Sequence, residues 1–281
     1  MSSLSRYRGR TLVREVIVIA LAAVLLLPFY LLIVMALKGT VEAATSSPVA
    51  LPVAPTLENF VDVLAASERR NVLSGLLNSA IITLGSILGL VGLGSLAGYA
   101  ISRRVGRLGR FAELFFTLGI ILPFQLGMIP TYLFFRSVHL LGTHIGMIIL
   151  YIGLLLPLSV FLYVGFSKSI PREYEEAASI DGASRFQVFR LVVFPLLSPA
   201  TGTVAILTGS LIWNDFMVPL IFLSGSKAST LPVAIYGFVG ENISQWNLIF
   251  AVVIVSIIPA LVAFLLAQRK FIQGFAGGLK G

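Results

Sequence analysis

The sequence predicts an all-α integral membrane protein with six transmembrane helices, both termini cytoplasmic, and a helical loop on the cytoplasmic side. Three observations carry this reading. The chain of 281 residues is 57% hydrophobic and only 11% charged, too apolar for an ordinary water-soluble domain. Its apolar residues lie in blocks, and a helix rising about 1.5 Å per residue needs roughly 20 of them to cross a bilayer core. Its lysines and arginines also fall unevenly between alternate connections, as the positive-inside rule requires.

The blocks span residues 16–37, 76–101, 112–135, 144–166, 201–223 and 247–267. Residues 1–15 then form a cytoplasmic N-terminus, 16–267 the six-span domain, and 268–281 a cytoplasmic tail. The first block has about twice the length of a secretory signal core, so it is expected to be a retained span. Connections 38–71 and 224–246 face outward and are too short for independent soluble domains. The second opens with the turn-rich "SGSKAST" and ends at Trp246, a residue type that favours membrane interfaces. No internal repeat is evident, so an inverted-repeat transporter gains no support.

With this topology the inner side holds Arg6, Arg8, Arg10, Arg14, Arg103, Arg104, Arg107, Arg110, Lys168, Arg172, Arg185, Arg190, Arg269, Lys270 and Lys280. The outer side holds Lys38, Arg69, Arg70, Arg136 and Lys227. The net charge of +8 is therefore a feature of topology, and no nucleic-acid partner is expected. The chain has no cysteine, which excludes disulfides, thiol catalysis and thiolate metal sites.

The second span carries GxxxG spacings at Gly85/Gly89 and Gly94/Gly98, where small residues let helices approach closely in lipid. Packing within the chain is expected ahead of a dedicated dimer face. Pro123, Pro130, Pro157, Pro219 and Pro259 fall inside apolar blocks and permit bends. Polar residues at membrane depth are costly, about 2.5–3.5 kcal/mol for a carboxylate at the bilayer centre, so they mark cavities or partners. Asp215, beside Trp213 and Asn214, either lines a path or caps a turn near the outer interface; Gln125 and Asn78 raise the same question.

One stretch departs from this apolar pattern. "PREYEEAASIDGASRFQVFRLVVFP", from residue 171, has seven charged side chains between 172 and 190. Ser169 is expected to cap a helix whose first turn holds Pro171, with Glu173, Glu175 and Glu176 near its positive dipole end. Tyr174, Ala177 and Ala178 are placed on one face by helical spacing. Asp181-Gly182 stops the helix, and Ser184 with Gln187 forms a capping box for a second one ending near Pro195. This reads as either a docking surface for another protein or a self-packed loop with Phe186 and Phe189 in lipid.

"EAASIDGASRFQVFRLVVFP" resembles the EAA loop of binding-protein-dependent ABC importer permeases, with Glu176, Ala177, Ala178 and Gly182 at the motif positions. Its ending, Val192, Val193, Phe194, Pro195, departs conservatively from the isoleucine–any–leucine–proline of the family. "PTLENF" at 55–60, "GYAISR" at 98–103, "IPTYLFF" at 129–135, "WNDF" at 213–216 and the "FAGGLKG" tail extend the resemblance. It covers nearly the whole chain and is closest to the shorter, maltose-type second permease of carbohydrate importers.

The resemblance implies one of two unlike permeases around a translocation path for a sugar, in a bacterial or archaeal inner membrane. It implies a dimer of ATPase subunits beneath, holding ATP and Mg, and an extracytoplasmic solute-binding protein outside. Glu176, Ala177, Ala178, Asp181, Gly182, Ala183 and Phe186 would couple to the ATPases; Trp213, Asn214, Asp215 and Gln125 are candidates for the sugar path. The chain itself has no GxxxxGK[ST] phosphate loop, no HExxH and no GxSxG, and its histidines, His139 and His144, fit an interface turn. It is therefore expected to be a non-enzymatic subunit with no cofactor or metal of its own. An ion-driven secondary transporter and a membrane scaffold are the alternatives; the first would be expected to carry acid–base pairs within the membrane, where Asp215 stands as the one candidate.

Overall fold

The computed structural model describes residues 9–65, 71–238 and 245–278, and every regular element among them is helical. In chain order these are α1 (Gly9–Ala36), α2 (Thr40–Thr45), α3 (Glu58–Leu64), α4 (Val72–Arg103) and α5 (Arg107–Ile121). A 3₁₀ turn (Phe124–Gly127) leads into α6 (Met128–Ser137), α7 (His144–Lys168), α8 (Glu173–Ile180) and α9 (Arg185–Leu196). Then follow α10 (Ser198–Asn214), α11 (Met217–Phe222), α12 (Leu231–Tyr236) and α13 (Trp246–Gly278). Arg6, Arg8, Arg69, Arg70 and Lys280 of the basic asymmetry, and the end of the tail, lie outside the described residues.

Among the described residues, three stretches are long and apolar enough to cross a bilayer unaided: Leu12–Ala36 within α1, all of α4, and all of α7. Two more candidates are bent pairs. The block 112–135, expected as one straight span, breaks after Ile121, and its halves meet at 88°. Pro123 is the physical reason, since it forces Leu122 into extended backbone (φ −70°, ψ 121°) and carries no N–H to continue the ladder. The block 201–223 is also interrupted: α10 ends at Asn214, Asp215 is extended, and the chain resumes as α11. Upstream, α9 and α10 meet at 71° about Leu197. Pro28, Pro157 and Pro259 sit within helices that continue through them.

The chain divides into two compact units, Met1–Val72 with Ile235–Ile257, and Leu73–Ala234 with Ile258–Gly281. In the first, Asn59 of the "PTLENF" stretch is a hub. Its Nδ2 donates to the carbonyls of Ala36 (2.7 Å) and Lys38 (2.8 Å), closing the open end of α1. Its Oδ1 accepts from Asn247 Nδ2 at 2.7 Å, which ties α3 to the start of α13. Lys38 is fully buried, its Nζ donating to Ser46 Oγ and the Ser47 carbonyl.

In the second unit the glycine face of α4 is covered by α7. A Cβ at Gly85, Gly89, Gly94 or Gly98 would run into Ile148, Ile152, Ser159 or Tyr163 respectively. The small residues thus serve packing within the chain, and Ser159 Oγ fills the notch by donating to the Leu90 carbonyl at 2.9 Å. At the N-terminal end of α7, Asn78 Nδ2 donates to the carbonyls of Lys227 and Ser229. Its Oδ1 is left to accept from His144 Nε2 at 2.8 Å, so Asn78 is a structural tie with its polar groups satisfied.

Candidate functional site

Two features of the second unit stand out, and the first is the loop between α7 and α10. Its opening differs from the sequence expectation: Ser169 closes α7, its hydroxyl donating back to the Phe166 carbonyl, and α8 begins only at Glu173. Pro171 restricts Ile170 and ends the preceding helix instead of opening the next. The stop is as expected. Gly182 adopts φ +84°, where a Cβ would be strained. The Gly182 N–H donates to the Ser179 carbonyl and the Ala183 N–H to that of Ala178, the paired bonds of a Schellman cap. Ser184 and Gln187 then close a reciprocal capping box that starts α9.

The faces of this loop are sorted. Ala178 and Ala183 turn inward to a core of Tyr163, Val188, Phe189, Val193 and Leu197. Phe189 is buried there beside Tyr99, ring centres 5.4 Å apart, and is no lipid anchor. Glu176, Ala177, Asp181, Gly182 and Phe186 are exposed, and Ile180 between them is 87% exposed. Tyr174 and Ala177, expected to share the face of Ala178, point outward; the inward residues of α8 are Glu175 and Ala178. Through Val188–Val193 the helix widens into π-type turns before the bend at Leu197.

From sequence alone Glu175 is only a dipole-matching charge. In the structure its Oε1 accepts from Arg103 Nε at 2.6 Å and its Oε2 from the Tyr99 hydroxyl at 2.7 Å. Arg103 Nη2 lies 2.5 Å from the same Oε1 and donates to the Ile170 carbonyl at 2.9 Å. The "GYAISR" stretch carries both Tyr99 and Arg103, spaced one helical turn apart; nothing in the sequence names their shared partner, 76 and 72 positions on.

The second feature is an open cleft of about 1140 Å³ between α5, α7 and α10. Its walls are mainly apolar, with Phe124, Leu154, Pro157 and Leu207 among them, and its polar groups are Tyr151, Ser210, Asn214 and Asp215. Asp215 is the one acidic side chain among the described residues that line it. Its Oδ1 accepts from the Val218 N–H at 3.3 Å and caps α11, while its Oδ2 accepts from Tyr151. Asn214 is exposed, its Nδ2 donating to the Ser210 carbonyl at 2.8 Å. Of the residues grouped from sequence, the cleft brings together Asn214 and Asp215; Trp213 and the exposed Gln125 are not part of its lining. Tyr151 was missed because a tyrosine inside an apolar helix gives no signal beyond packing.

Residues 90–275 match the family described as the binding-protein-dependent transport system inner membrane component. The probable starch degradation products transport system permease protein AmyC of Thermoanaerobacterium thermosulfurigenes is 35% identical over 92% of this chain and 93% of that protein. The melibiose/raffinose/stachyose import permease protein MelC of Bacillus subtilis is 37% identical over 90% of each. A chain of a bacterial ABC transporter that imports the acidic polysaccharide alginate shares the fold, with a TM-score of 0.82 at 22% identity over 96% of this chain and 100% of that one. With its apolar helices, its folded polar loop and relatives that match it almost end to end, the chain belongs to the family of binding-protein-dependent transport system inner membrane components.

Proposed function

We propose that this chain is one of two unlike permease subunits of an ABC importer, that it forms half of the path for a sugar, and that it takes its energy from partner ATPases. The observation that carries this is the loop at 169–197. It is a rigid unit capped at its turn, anchored on one face by Glu175, Ala178 and Ala183, and open on the other at Glu176, Ala177, Asp181, Gly182 and Phe186. Ala183, half-buried, supports that open face from beneath. A motor needs such an element, since a loose loop would absorb displacement instead of passing it on.

In this reading the chain crosses the membrane six times, with α5 and α6 as one bent span, α10 continued by α11 as another, and α13 completing the count, and with both termini in the cytoplasm. The loop sits on the cytoplasmic side beneath the membrane, and the ATPases hold ATP and Mg against it. ATP-driven closure of the motor moves the loop as a unit and tilts the spans, opening the path toward a solute-binding protein outside. The cleft supplies this chain's share of that path. Hydroxyl-rich sugar matches it: Asp215, Asn214 and Ser210 offer acceptors and donors beside apolar walls, and no cation among the described lining residues is there to favour an acidic substrate. The relatives from T. thermosulfurigenes and B. subtilis, by their names, carry sugars too.

The test is purification of the tagged chain from its native membrane in mild detergent, with its companions identified by mass spectrometry. A phosphate-loop ATPase and a second, longer permease are the expected companions. Recovery of this chain alone across several gentle detergents overturns the reading in favour of an ion-driven transporter.

A further inference from the structure

The loop is tied to the helices above it in two different ways. Ala178, Ala183 and Phe189 make apolar contacts, which are non-directional and tolerate sliding. Glu175 makes the other tie, and it is directional. Both of its oxygens are engaged, by Arg103 Nε and Nη2 on one and by the Tyr99 hydroxyl on the other. The Arg103 and Glu175 side chains are only 16% and 15% exposed, so water screens the pair weakly. Arg103 also holds the Ile170 carbonyl, so the last turn of α4 grips the start of the loop and α8 at once. A planar guanidinium with several fixed donors sets an angle as well as a distance.

We propose that Arg103, Glu175 and Tyr99 form a clutch: positioning residues that make α8 and the end of α4 move as one body. Displacement of the loop then reaches α4 directly, as well as α10 through α9. The α4 helix carries the glycine face on which α7 is seated, and α7 carries Tyr151 of the cleft. This inference rests on the importer reading above. Removing one partner leaves the other charge half-buried and uncompensated, so single substitutions should disrupt the joint while a reversed pair should restore it.

This chain has no cysteine, so once any cysteines of the partner subunits are replaced by serine, spin labels in the assembled complex in lipid nanodiscs go only to introduced positions. Labels at Glu173→Cys and Val105→Cys, both exposed, read α8 against the end of α4. A second pair, Glu173→Cys with Leu126→Cys, reads the loop against the turn after α5. On trapping with ATP, Mg and vanadate, the first distance is expected to stay fixed and the second to change. Glu175→Gln should make the first distribution about twice as broad and let it shift on trapping, and R103E/E175R should narrow it again. If Glu175→Gln leaves the first distance fixed while the second still changes, apolar packing alone transmits the motion and the clutch is rejected. If neither distance changes in the otherwise unaltered chain, the importer reading fails and takes the clutch with it.

Discussion

The phenolic hydroxyl of Tyr151 donates to Asp215 Oδ2 at 3.0 Å, joining the first half of α7 to the break between α10 and α11. The sequence poses two roles for Asp215, helix cap or path lining; in the structure it caps α11 and lines the cleft. A carboxylate has about four acceptor sites, of which Val218 N–H and Tyr151 occupy two. Asp215→Ala should therefore cost about 2 kcal/mol of stability, from the lost cap and the orphaned hydroxyl. It should also slow uptake about tenfold or more, the effect of losing one charge-assisted hydrogen bond to substrate. Melting of the purified complex reads the first and uptake kinetics the second; unchanged substrate affinity and rate would remove Asp215 from the path.

Gly182 offers a separate test of the loop. At φ +84° a β-branched side chain is strained by roughly 1–3 kcal/mol, and nothing within 4 Å would obstruct the Cβ itself. Gly182→Val should thus deform the turn from its backbone alone, abolishing uptake while the chain still inserts in the membrane. Gly182→Asn, which tolerates the left-handed region, should retain much of the activity. Normal transport by the valine variant would sink the coupling role.

The α4–α7 seam predicts a contrast between two glycines of one helix. A Cβ at Gly98 would meet the Tyr163 Cβ at 2.5 Å and the Tyr163 and Val164 backbone at 3.1 Å, whereas at Gly92 it would meet nothing within 4 Å. Gly98→Ala should destabilise the complex by about 1–3 kcal/mol through overpacking. Gly92→Ala should be neutral or gain up to about 1 kcal/mol from helix propensity. Thermal unfolding followed by size exclusion separates the two; equal melting temperatures would contradict the seam.

In the first unit, Asn59→Ala strands the carbonyls of Ala36 and Lys38 and leaves the Asn247 amide with Thr40 Oγ1 in place of its two acceptors. Each buried polar group left without a partner costs about 1–3 kcal/mol, so this single change should be among the most damaging outside the loop. Limited proteolysis in the 40–56 connection should accelerate sharply, while Asn59→Asp, which keeps the acceptor oxygens but loses the donors, should fail to rescue it. Unaltered proteolysis in the alanine variant would deny Asn59 its hub role.

What the sequence determined by itself is the part of the structure governed by local chemistry and by the bilayer. Long apolar blocks, the asymmetry of arginines and lysines, the Gly182 stop and the Ser184–Gln187 box each depend on composition or on residues within four positions of one another. Such interactions are nearly the same wherever the segment lies, so they can be read before the fold is known. Tertiary structure alone decided which side chains met across long separations. Glu175 reaches Arg103 across 72 residues, Tyr151 reaches Asp215 across 64, and Asn59 reaches Asn247 across 188. It also decided that Ser169 closes a helix instead of opening one, and that the 112–135 and 201–223 blocks break, since a proline or an aspartate inside an apolar run bends the helix only where neighbouring packing takes up the freed backbone groups. Pro28 and Pro157, with the same ring and the same missing donor, left their helices unbroken.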